Sequence, residues 1–450
     1  MKPLAETPLQ TLLTEQPIAC GCGRRHAAGL RYVQIGRDAT RFLPEALKAA
    51  GIRKPFVVCD PHTQRAAMPR VDAALEAAGI PAVRFAFPDE RLEPDERAVG
   101  ALCMALDRSC DGVLAVGSGV LNDCCKVLAH AAGLPQAVVA TAPSMDGYAS
   151  NSASMIRNRV KVTLYNACPA AILADTLILK DAPAPMLRAG LGDMLAKSVA
   201  LCEWRISHLV TGEYYCPEVA GLMRASLGRV VAAAPRLMDR DPEATGAVAE
   251  GLILSGVAMA FAQVSRPASG LEHYFSHLWE MFALERGERA DLHGLEVGVG
   301  TALTLSIYDR LRRIAPDAAR AEAALQALDS AVWEAEMRRV FGAAAQTLLD
   351  SERQCWHLND PARSRARRER ILTQWPELLR IMDEELPPAD QTIALMRSLG
   401  MPTTPAQLGH NARDTRDAFL YSRNIRDKYL TSSLLWDLGL LADFPLDTDA

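Results

Sequence analysis

At 450 residues the chain is longer than one hydrophobic core usually serves, so two domains are expected. Its apolar fraction of 49% and charged fraction of 23% are ordinary for globular proteins and exclude extensive disorder. The formal charge of −5, with basic residues spread along the chain, argues against a nucleic-acid-binding surface, which needs clustered cations.

The beginning of the chain suggests neither export nor membrane insertion. We recognise no apolar stretch of the roughly 18 residues that a membrane span needs, and the opening sequence carries acids and prolines where a secretory signal is apolar. The 11 cysteines are scattered and odd in number, which is typical of reduced thiols. The sequence therefore predicts a cytoplasmic protein. Cys20, Cys22 and His26 resemble half of a zinc site, but no second CxxC or HxxH lies nearby, so a structural metal is not favoured there.

The first 182 residues alternate short β-branched runs with alanine-rich amphipathic segments. Strands are predicted at 30–35, 55–59, 82–87, 112–116, 137–140, 162–164 and 171–174, and helices at 41–50, 69–78 and 96–106. This alternation predicts a mostly parallel sheet covered by helices. Because such sheets bind nucleotides at the carboxyl ends of their strands, residues 1–182 are expected to form an α/β nucleotide-binding domain.

Two loops in this domain carry the residue types that contact nucleotides. The segment GSGVL places Gly117, Ser118, Gly119, Val120 and Leu121 between a buried strand and a helix, where backbone amides can approach phosphate. A tight turn without a ligand is the alternative, since the motif is neither GxGxxG nor a Walker loop. The second loop, TAPSMDGYAS, follows the next strand and predicts ligand contact because it concentrates hydroxyls and a carboxylate.

Asp60 ends an earlier predicted strand, PFVVCD. An acid at this position suits a hydrogen bond to the adenosine ribose and disfavours a 2′-phosphate. A helix N-cap is an equally good interpretation of the same residue.

From residue 183 the pattern is helical throughout. Apolar residues three and four apart predict helices at 186–201, 218–238, 245–261, 271–286 and 292–311, and further helices follow to residue 441. The proline-rich segment 181–185 is a natural boundary, so residues 183–450 are expected to form an all-helical domain. A cleft between the two domains is the expected place for ligands.

Three polar segments interrupt this helical half. Asp193 lies in GLGDMLAK, His273 and His277 lie four apart in SRPASGLEHYFSH, and His293 opens another apolar helix. A carboxylate with two imidazoles forms a divalent metal site with open positions. The alternatives are a capping aspartate and histidines satisfied within the core. The pattern HExxH is absent, so a zincin protease is not supported.

Taken together, these segments resemble the iron-containing alcohol dehydrogenase superfamily, and within it the glycerol-1-phosphate dehydrogenase branch with its bacterial, nickel-linked members. The matching strings are GSGVLND, TAPSMDGYAS, GLGDMLAK, SRPASGLEHYFSH and LHG, in the expected order over residues 117–294. The resemblance implies a dehydroquinate synthase-like architecture: an α/β domain followed by an all-α domain.

The resemblance also assigns roles, residue by residue. It implies metal ligands at Asp193, His273 and His293, and substrate contacts at Asp146, Asp193 and His277, with Asp193 and His277 as the catalytic pair. NAD(P) contacts are implied at Asp60, Gly117, Ser118, Gly119, Val120, Leu121, Thr141, Ala142, Pro143, Ser144 and Ser150. Lys197 stands where wider relatives have a further ligand histidine.

The expected activity is reversible NAD(H)- or NADP(H)-dependent reduction of dihydroxyacetone phosphate to sn-glycerol 1-phosphate by a homodimer, with one divalent metal, Ni²⁺ or Zn²⁺ before Fe²⁺. Candidates for the substrate phosphate are Arg157, Lys161, Lys197 and Arg266, which the sequence does not rank. The alternatives are a dehydrogenase of an unphosphorylated polyol such as glycerol, a dehydroquinate-synthase-like lyase and a non-catalytic binding protein.

Overall fold

The computed structural model describes residues 3–13, 16–158 and 160–448. The chain divides into two compact units. The first comprises the residues up to Met194 together with Cys216–Pro267, and the second comprises Leu195–Tyr215 together with the residues from Ala268 onward. The compact units thus divide the helical half of the chain, whereas the predicted domain boundary between residues 182 and 183, which stays a prediction, keeps that half together.

Ten strands lie within the described residues, all of them in the first unit. They are β1 (Ile18–Ala19), β2 (Arg25–His26), β3 (Tyr32–Gly36), β4 (Pro55–Cys59), β5 (Val83–Ala86), β6 (Gly112–Gly117), β7 (Gln136–Ala140), β8 (Ser152–Arg157), β9 (Val160–Tyr165) and β10 (Ala171–Asp175). Six of them form one parallel sheet in the order β3-β10-β7-β6-β4-β5. Strands β4, β6, β7 and β10 are buried on both faces, which explains their continuous apolar sequences.

Helices make up most of the rest. In chain order they are α1 (Leu9–Leu12), α2 (Leu43–Ala50), α3 (Pro61–Ala77), α4 (Glu96–Ala105), α5 (Gly119–Ala132), α6 (Thr176–Leu179), α7 (Ala184–Leu195), α8 (Lys197–Thr211), α9 (Pro217–Ala233), α10 (Pro242–Ala262), α11 (Leu271–Arg286), α12 (His293–Leu311), α13 (Ala318–Gln326), α14 (Ser330–Phe341), α15 (Ala345–Ser351), α16 (Pro361–Thr373), α17 (Trp375–Glu385), α18 (Ala389–Ser398), α19 (Ala412–Tyr421) and α20 (Thr431–Asp437). The second unit is helical around one apolar core that includes Phe275, Trp279, Leu303 and Leu434. The predicted fold class, an α/β part followed by a helical part, is confirmed.

Several element boundaries differ from the prediction. The segment 162–164 lies in β9, which pairs antiparallel with the unpredicted β8 outside the main sheet. Helix α3 begins at Pro61 and continues through Pro69, where the prediction began it. The predicted helix 186–201 is two helices, α7 and α8, that meet at Ala196.

Helix α10 is more apolar than the sequence analysis recognised. By length and composition alone it could cross a membrane, with a mean hydropathy of 1.6 in its most apolar window, 72% of which is buried in the protein. It packs against α9 and against the short turn Asp146–Ala149. A helix that is apolar on all sides is expected at such a buried position.

Candidate active-site residues in the two units

The glycine loop of the first unit is a sharp turn from β6 into α5. A Cβ atom at Gly117 would lie 2.3 Å from Leu121 Cδ1, so only a glycine leaves room for the Leu121 side chain in this turn. Ser118 occupies the N-cap, but its side chain makes no capping hydrogen bond to the helix. The amides of the first turn of α5 therefore offer donors to an anion, reinforced by the helix dipole.

The loop after β7 is held against this turn. The Thr141 amide donates to the Gly117 carbonyl at 3.2 Å, and the buried Tyr148 hydroxyl donates to the Ala142 carbonyl at 2.7 Å. Strands β6 and β7 are neighbours in the sheet, so both loops leave the same edge. The structure thus brings together the two predicted nucleotide-contacting segments, 117–121 and 141–144.

Helix α7 lies directly on this second loop. A Cβ atom at Gly190 would lie 1.7 Å from the Pro143 carbonyl oxygen, so only a glycine permits the observed approach. Asp193, one turn further along α7, is completely buried.

Asp193 and Asp146 are adjacent in the first unit. The Asp146 amide donates to Asp193 Oδ2 at 2.9 Å, and the Asp146 carboxylate accepts from the Ser255 hydroxyl at 2.8 Å. Ser255 lies on α10 and was missed by the sequence analysis, because a serine in an apolar helix carries no spacing signal.

Lys126 is a second residue that the sequence analysis missed. It is completely buried on α5, donates to the Ser150 hydroxyl at 3.1 Å and to the Ser152 carbonyl at 2.9 Å, and lies 3.6 Å from Asp123 Oδ1. Burial raises the pKa of Asp123 and lowers that of Lys126, while their mutual attraction opposes both shifts. A lone lysine among the apolar positions of α5 was the available signal. The Ser150 hydroxyl supports this loop, and its predicted cofactor contact stays a prediction.

Asp60 caps helix α3. Its carboxylate accepts from the Thr63 amide at 2.8 Å, while the Thr63 hydroxyl accepts from the Asp60 amide at 3.0 Å. This reciprocal pair is a capping box. The N-cap interpretation of Asp60 is therefore correct, and the ribose contact stays a prediction.

The second unit gathers the three predicted histidines. The ring centroids of His273 and His293 lie 5.4 Å apart, and those of His277 and His293 lie 5.7 Å apart with nearly parallel planes. His273 and His277 are on consecutive turns of α11, and His293 is the first residue of α12. The packing of α11 against α12 thus joins residues that the sequence separates by up to 20 positions.

Both proposed ligand histidines are oriented through Nδ1. His273 Nδ1 lies 2.9 Å from Glu272 Oε1, and His293 Nδ1 lies 3.0 Å from the Ser276 hydroxyl and 3.2 Å from Glu280 Oε1. A carboxylate on Nδ1 places the ring hydrogen there and leaves the Nε2 lone pair for a metal. Both imidazoles therefore present Nε2 as the atom that could ligate a metal.

Buried carboxylates surround these rings. Glu272, Glu280 and Glu296 are all buried, and one oxygen each of Glu272 and Glu296 has no hydrogen-bond partner among the described residues. Several buried carboxylates beside imidazoles are costly without a compensating cation. The donor set of the second unit therefore fits a divalent metal. These glutamates were not predicted from the sequence, although Glu272 directly precedes His273.

The candidate phosphate cations differ in exposure. Lys197 is completely buried in the second unit and donates to the Ala268 carbonyl at 3.1 Å, and Arg266 is buried in the first unit. Arg157 is exposed at the end of β8, and Lys161 is half-buried on β9.

Comparison with known proteins finds consistent relatives. A family model described as iron-containing alcohol dehydrogenase matches residues 34–183. A Bacillus licheniformis protein named glycerol-1-phosphate dehydrogenase [NAD(P)+] is 34% identical over 94% of this chain and 93% of its own length. A protein of the same name from Halalkalibacterium halodurans is 35% identical over 64% of this chain and 73% of its own.

Solved structures agree on the fold. A probable glycerol dehydrogenase from Sinorhizobium meliloti matches with a TM-score of 0.58 at 17% identity, covering 93% of this chain and 97% of that one. At this identity the likeness concerns the fold alone, and it agrees with an α/β part followed by a helical part.

Proposed function

Because the chain belongs to the glycerol-1-phosphate dehydrogenase family within the iron-containing alcohol dehydrogenases, we propose that it reduces dihydroxyacetone phosphate to sn-glycerol 1-phosphate with NADH or NADPH, reversibly. The observation that carries this proposal beyond the family name is the oriented pair of imidazoles, His273 and His293, among buried carboxylates.

Asp193, His273 and His293 would hold one divalent metal, with Ni²⁺ or Zn²⁺ favoured over Fe²⁺ by the resemblance. When bound, such a cation polarises the ketone and stabilises the negative charge that develops on its oxygen. What supports this ligand set is its chemistry: one carboxylate and two neutral imidazoles. Glu272 and Glu280 orient the two rings, and Glu296 supports the His293 ring through the Ser276 hydroxyl. Their carboxylates would offset the charge of the cation.

The first unit would bind the nucleotide. We assign the pyrophosphate to the amides at the start of α5, beside Gly117 and Ser118. Thr141 and Ser144 on the neighbouring loop would contact the nicotinamide half, which supplies the hydride. Asp60, at the end of β4, would meet the adenosine ribose.

Asp146 and His277 would serve the substrate. Ser255 and the Asp193 carboxylate hold Asp146 at its side chain and its amide, so its position is fixed before the substrate arrives. His277, half-buried one turn from His273 with Glu280 Oε2 3.8 Å from its Nδ1, would deliver a proton to the substrate oxygen and be reprotonated from solvent, with bound water as the rival proton donor. Arg157, Lys161, Lys197 and Arg266 are the candidates for the substrate phosphate.

The test is oxidation of NADH and of NADPH with dihydroxyacetone phosphate or dihydroxyacetone, after mild chelation and readdition of Ni²⁺, Zn²⁺ or Fe²⁺. We expect turnover on the phosphorylated ketone that depends on the added metal. Equal rates on both ketones would favour a polyol dehydrogenase. An absence of net NAD(P)H oxidation would favour a lyase, and activity without metal would overturn the metal's role.

We further propose a homodimer that acts in the cytoplasm. The dimer rests on the family resemblance, and the location rests on the scattered free cysteines, which are typical of a reducing compartment. Light scattering on the purified chain tests the dimer.

A further inference from the structure

Three cysteines and a histidine meet in the first unit, away from every residue assigned above. Cys20 and Cys22 lie in the turn between β1 and β2, His26 ends β2, and Cys216 precedes helix α9. Their ligand atoms all lie within 4.8 Å of one another. Cys216 is the partner that the sequence did not reveal for the half-site at 20–26.

The distances between these atoms match a zinc tetrahedron. Bonds of ~2.3 Å to sulfur and ~2.0–2.1 Å to nitrogen place two sulfurs ~3.8 Å apart, and a sulfur and a nitrogen ~3.6 Å apart. In the structure, Cys20 Sγ lies 3.7 Å from Cys216 Sγ, and His26 Nε2 lies 3.5 Å from Cys22 Sγ and 3.6 Å from Cys216 Sγ. The four donors are therefore spaced as zinc ligands before any metal is considered.

His26 is held in the form that a ligand requires. It is almost completely buried, its ring stacks on Phe261 with centroids 5.3 Å apart, and its Nδ1 lies 2.8 Å from the Phe261 carbonyl oxygen. A carbonyl only accepts, so Nδ1 carries the hydrogen and the Nε2 lone pair faces the thiols. Ligand histidines in metal sites show this same outer contact.

The local fold gives the site a structural purpose. Strands β1 and β2 pair over only two residues each, and such a hairpin has little stability of its own. Cys216 is buried at the N-cap of the 17-residue helix α9, where burial raises the pKa of its thiol and the Val219 amide opposes that shift. A metal bound by all four side chains would tie the hairpin to α9 and, through His26, to the end of α10.

We propose that Cys20, Cys22, His26 and Cys216 form a structural zinc site. Three thiolates and one imidazole complete a tetrahedron and leave no position open for substrate, so the site is closed. Soft sulfur donors select zinc over the hard cations. None of the four residues belongs to the proposed catalytic set, so this inference does not depend on the proposed function.

The alternative occupant of this space is a disulfide. The sulfurs of Cys20 and Cys216 are neighbours, but their 3.7 Å separation is far longer than a disulfide bond of ~2.05 Å. Forming that bond would remove two ligands at once, so the two states exclude each other.

The test counts zinc in the full-length chain by elemental analysis. The His273→Ala background is used because loss of a catalytic ligand removes the other metal from the count. We expect one zinc per chain in His273→Ala, none when Cys22→Ser or Cys216→Ser is added, and one when the matched control Cys103→Ser is added. Cys103 is an exposed cysteine on α4.

Two further measurements on the His273→Ala chain do not need the cysteine variants to fold. A thiol-specific mercurial should release one zinc per chain. Cobalt exchanged into the site should show thiolate-to-metal charge-transfer absorption, which the sulfur-free catalytic ligands cannot give. A zinc count that Cys216→Ser leaves unchanged, an absence of mercurial-released zinc, or a Cys20–Cys216 disulfide in freshly purified protein would each overturn the proposal.

Discussion

His273 and His277 are one turn apart on α11, yet their surroundings differ. His273 is buried and bonded to Glu272, whereas His277 is half-buried and has Glu280 at 3.8 Å as its acidic neighbour. Replacing a histidine that ligates the metal removes the nitrogen lone pair that binds it. Replacing a histidine that only donates a proton leaves the metal ligands in place. The two residues should therefore separate in experiment.

We expect His273→Ala to lose the catalytic metal. His277→Ala should retain that metal and lose turnover by ~100-fold or more, the usual contribution of a positioned acid. Metal content after gel filtration and steady-state kinetics on the same preparations measure both effects. A His277→Ala enzyme that loses its metal would show that the two roles are misassigned.

Asp60 combines a structural role that is observed with a binding role that is proposed. Its carboxylate caps α3, and serine caps helices about as well without the charge. Asp60→Ser should therefore keep the free energy of unfolding within ~0.5 kcal/mol while raising the affinity for NADPH relative to NADH. Asp60→Ala should instead cost ~1 kcal/mol by losing the cap. Denaturant titration measures the capping role, and NADH and NADPH binding measures the ribose-binding role. An unchanged cofactor preference in Asp60→Ser would contradict the proposed ribose contact.

At the scale of elements, the nucleotide loops depend on how closely α7 approaches them. Gly190 leaves no room for a side chain against the Pro143 carbonyl, a backbone atom that cannot rotate away. The glycine is kept in spite of its poor helix propensity.

Gly190→Ala should therefore destabilise the protein by ~1–3 kcal/mol or more and weaken NAD(P)H binding, because the loop 141–144 must move. The matched control is Gly221→Ala in α9, where an added Cβ meets nothing within 4 Å. That change should stabilise the helix by up to ~1 kcal/mol. The denaturant midpoints and NAD(P)H affinities of the two variants test this prediction. Equal values for Gly190→Ala and Gly221→Ala would contradict the close contact between Gly190 and the Pro143 carbonyl.

At the scale of the whole molecule, the C-terminal region takes part in the organisation of the second unit. Glu203 on α8 is buried, and its carboxylate accepts from the amide of Leu271, the first residue of α11, at 3.1 Å and from the amide of Thr431, the first residue of α20, at 2.9 Å. One side chain thus joins three helices that are distant in sequence, including the helix that carries His273 and His277.

Glu203→Gln should destabilise the second unit by ~1–3 kcal/mol, because the amide can accept through only one of its two atoms and leaves a buried N–H unpaired. Glu377→Gln, which weakens the half-buried ion pair of Glu377 with the exposed Arg380, is the control and should change stability by less than ~1 kcal/mol. Urea unfolding followed by tryptophan fluorescence measures both. Equal midpoints would mean that Glu203 does not organise the unit.

Much of the fold was predictable because its signals are local. Strand β4 has its predicted limits, since a continuous apolar run marks it, and α11 begins after Gly270 and ends before Gly287 as predicted. The motif strings also identified the family. The predicted start of α3 was wrong because this helix continues through Pro69. The segment 162–164 was wrongly expected in the main sheet because its apolar sequence resembles that of a main-sheet strand, although it belongs to the hairpin β8–β9.

The sequence by itself thus determined the fold class, the family and the polar residues that carry its chemistry, because these depend on periodicity and on short strings. Only the tertiary structure decided which residues support them. No sequence spacing predicted three of these supporting contacts. They are the carboxylates beside His273 and His293, the hydroxyl that holds Asp146, and the lysine that bonds Ser150. The same holds for Cys216, which lies 190 positions from His26 and yet 3.6 Å from its Nε2. Chain separation carries no information about such contacts, since the packing of helices and sheets brings distant residues together.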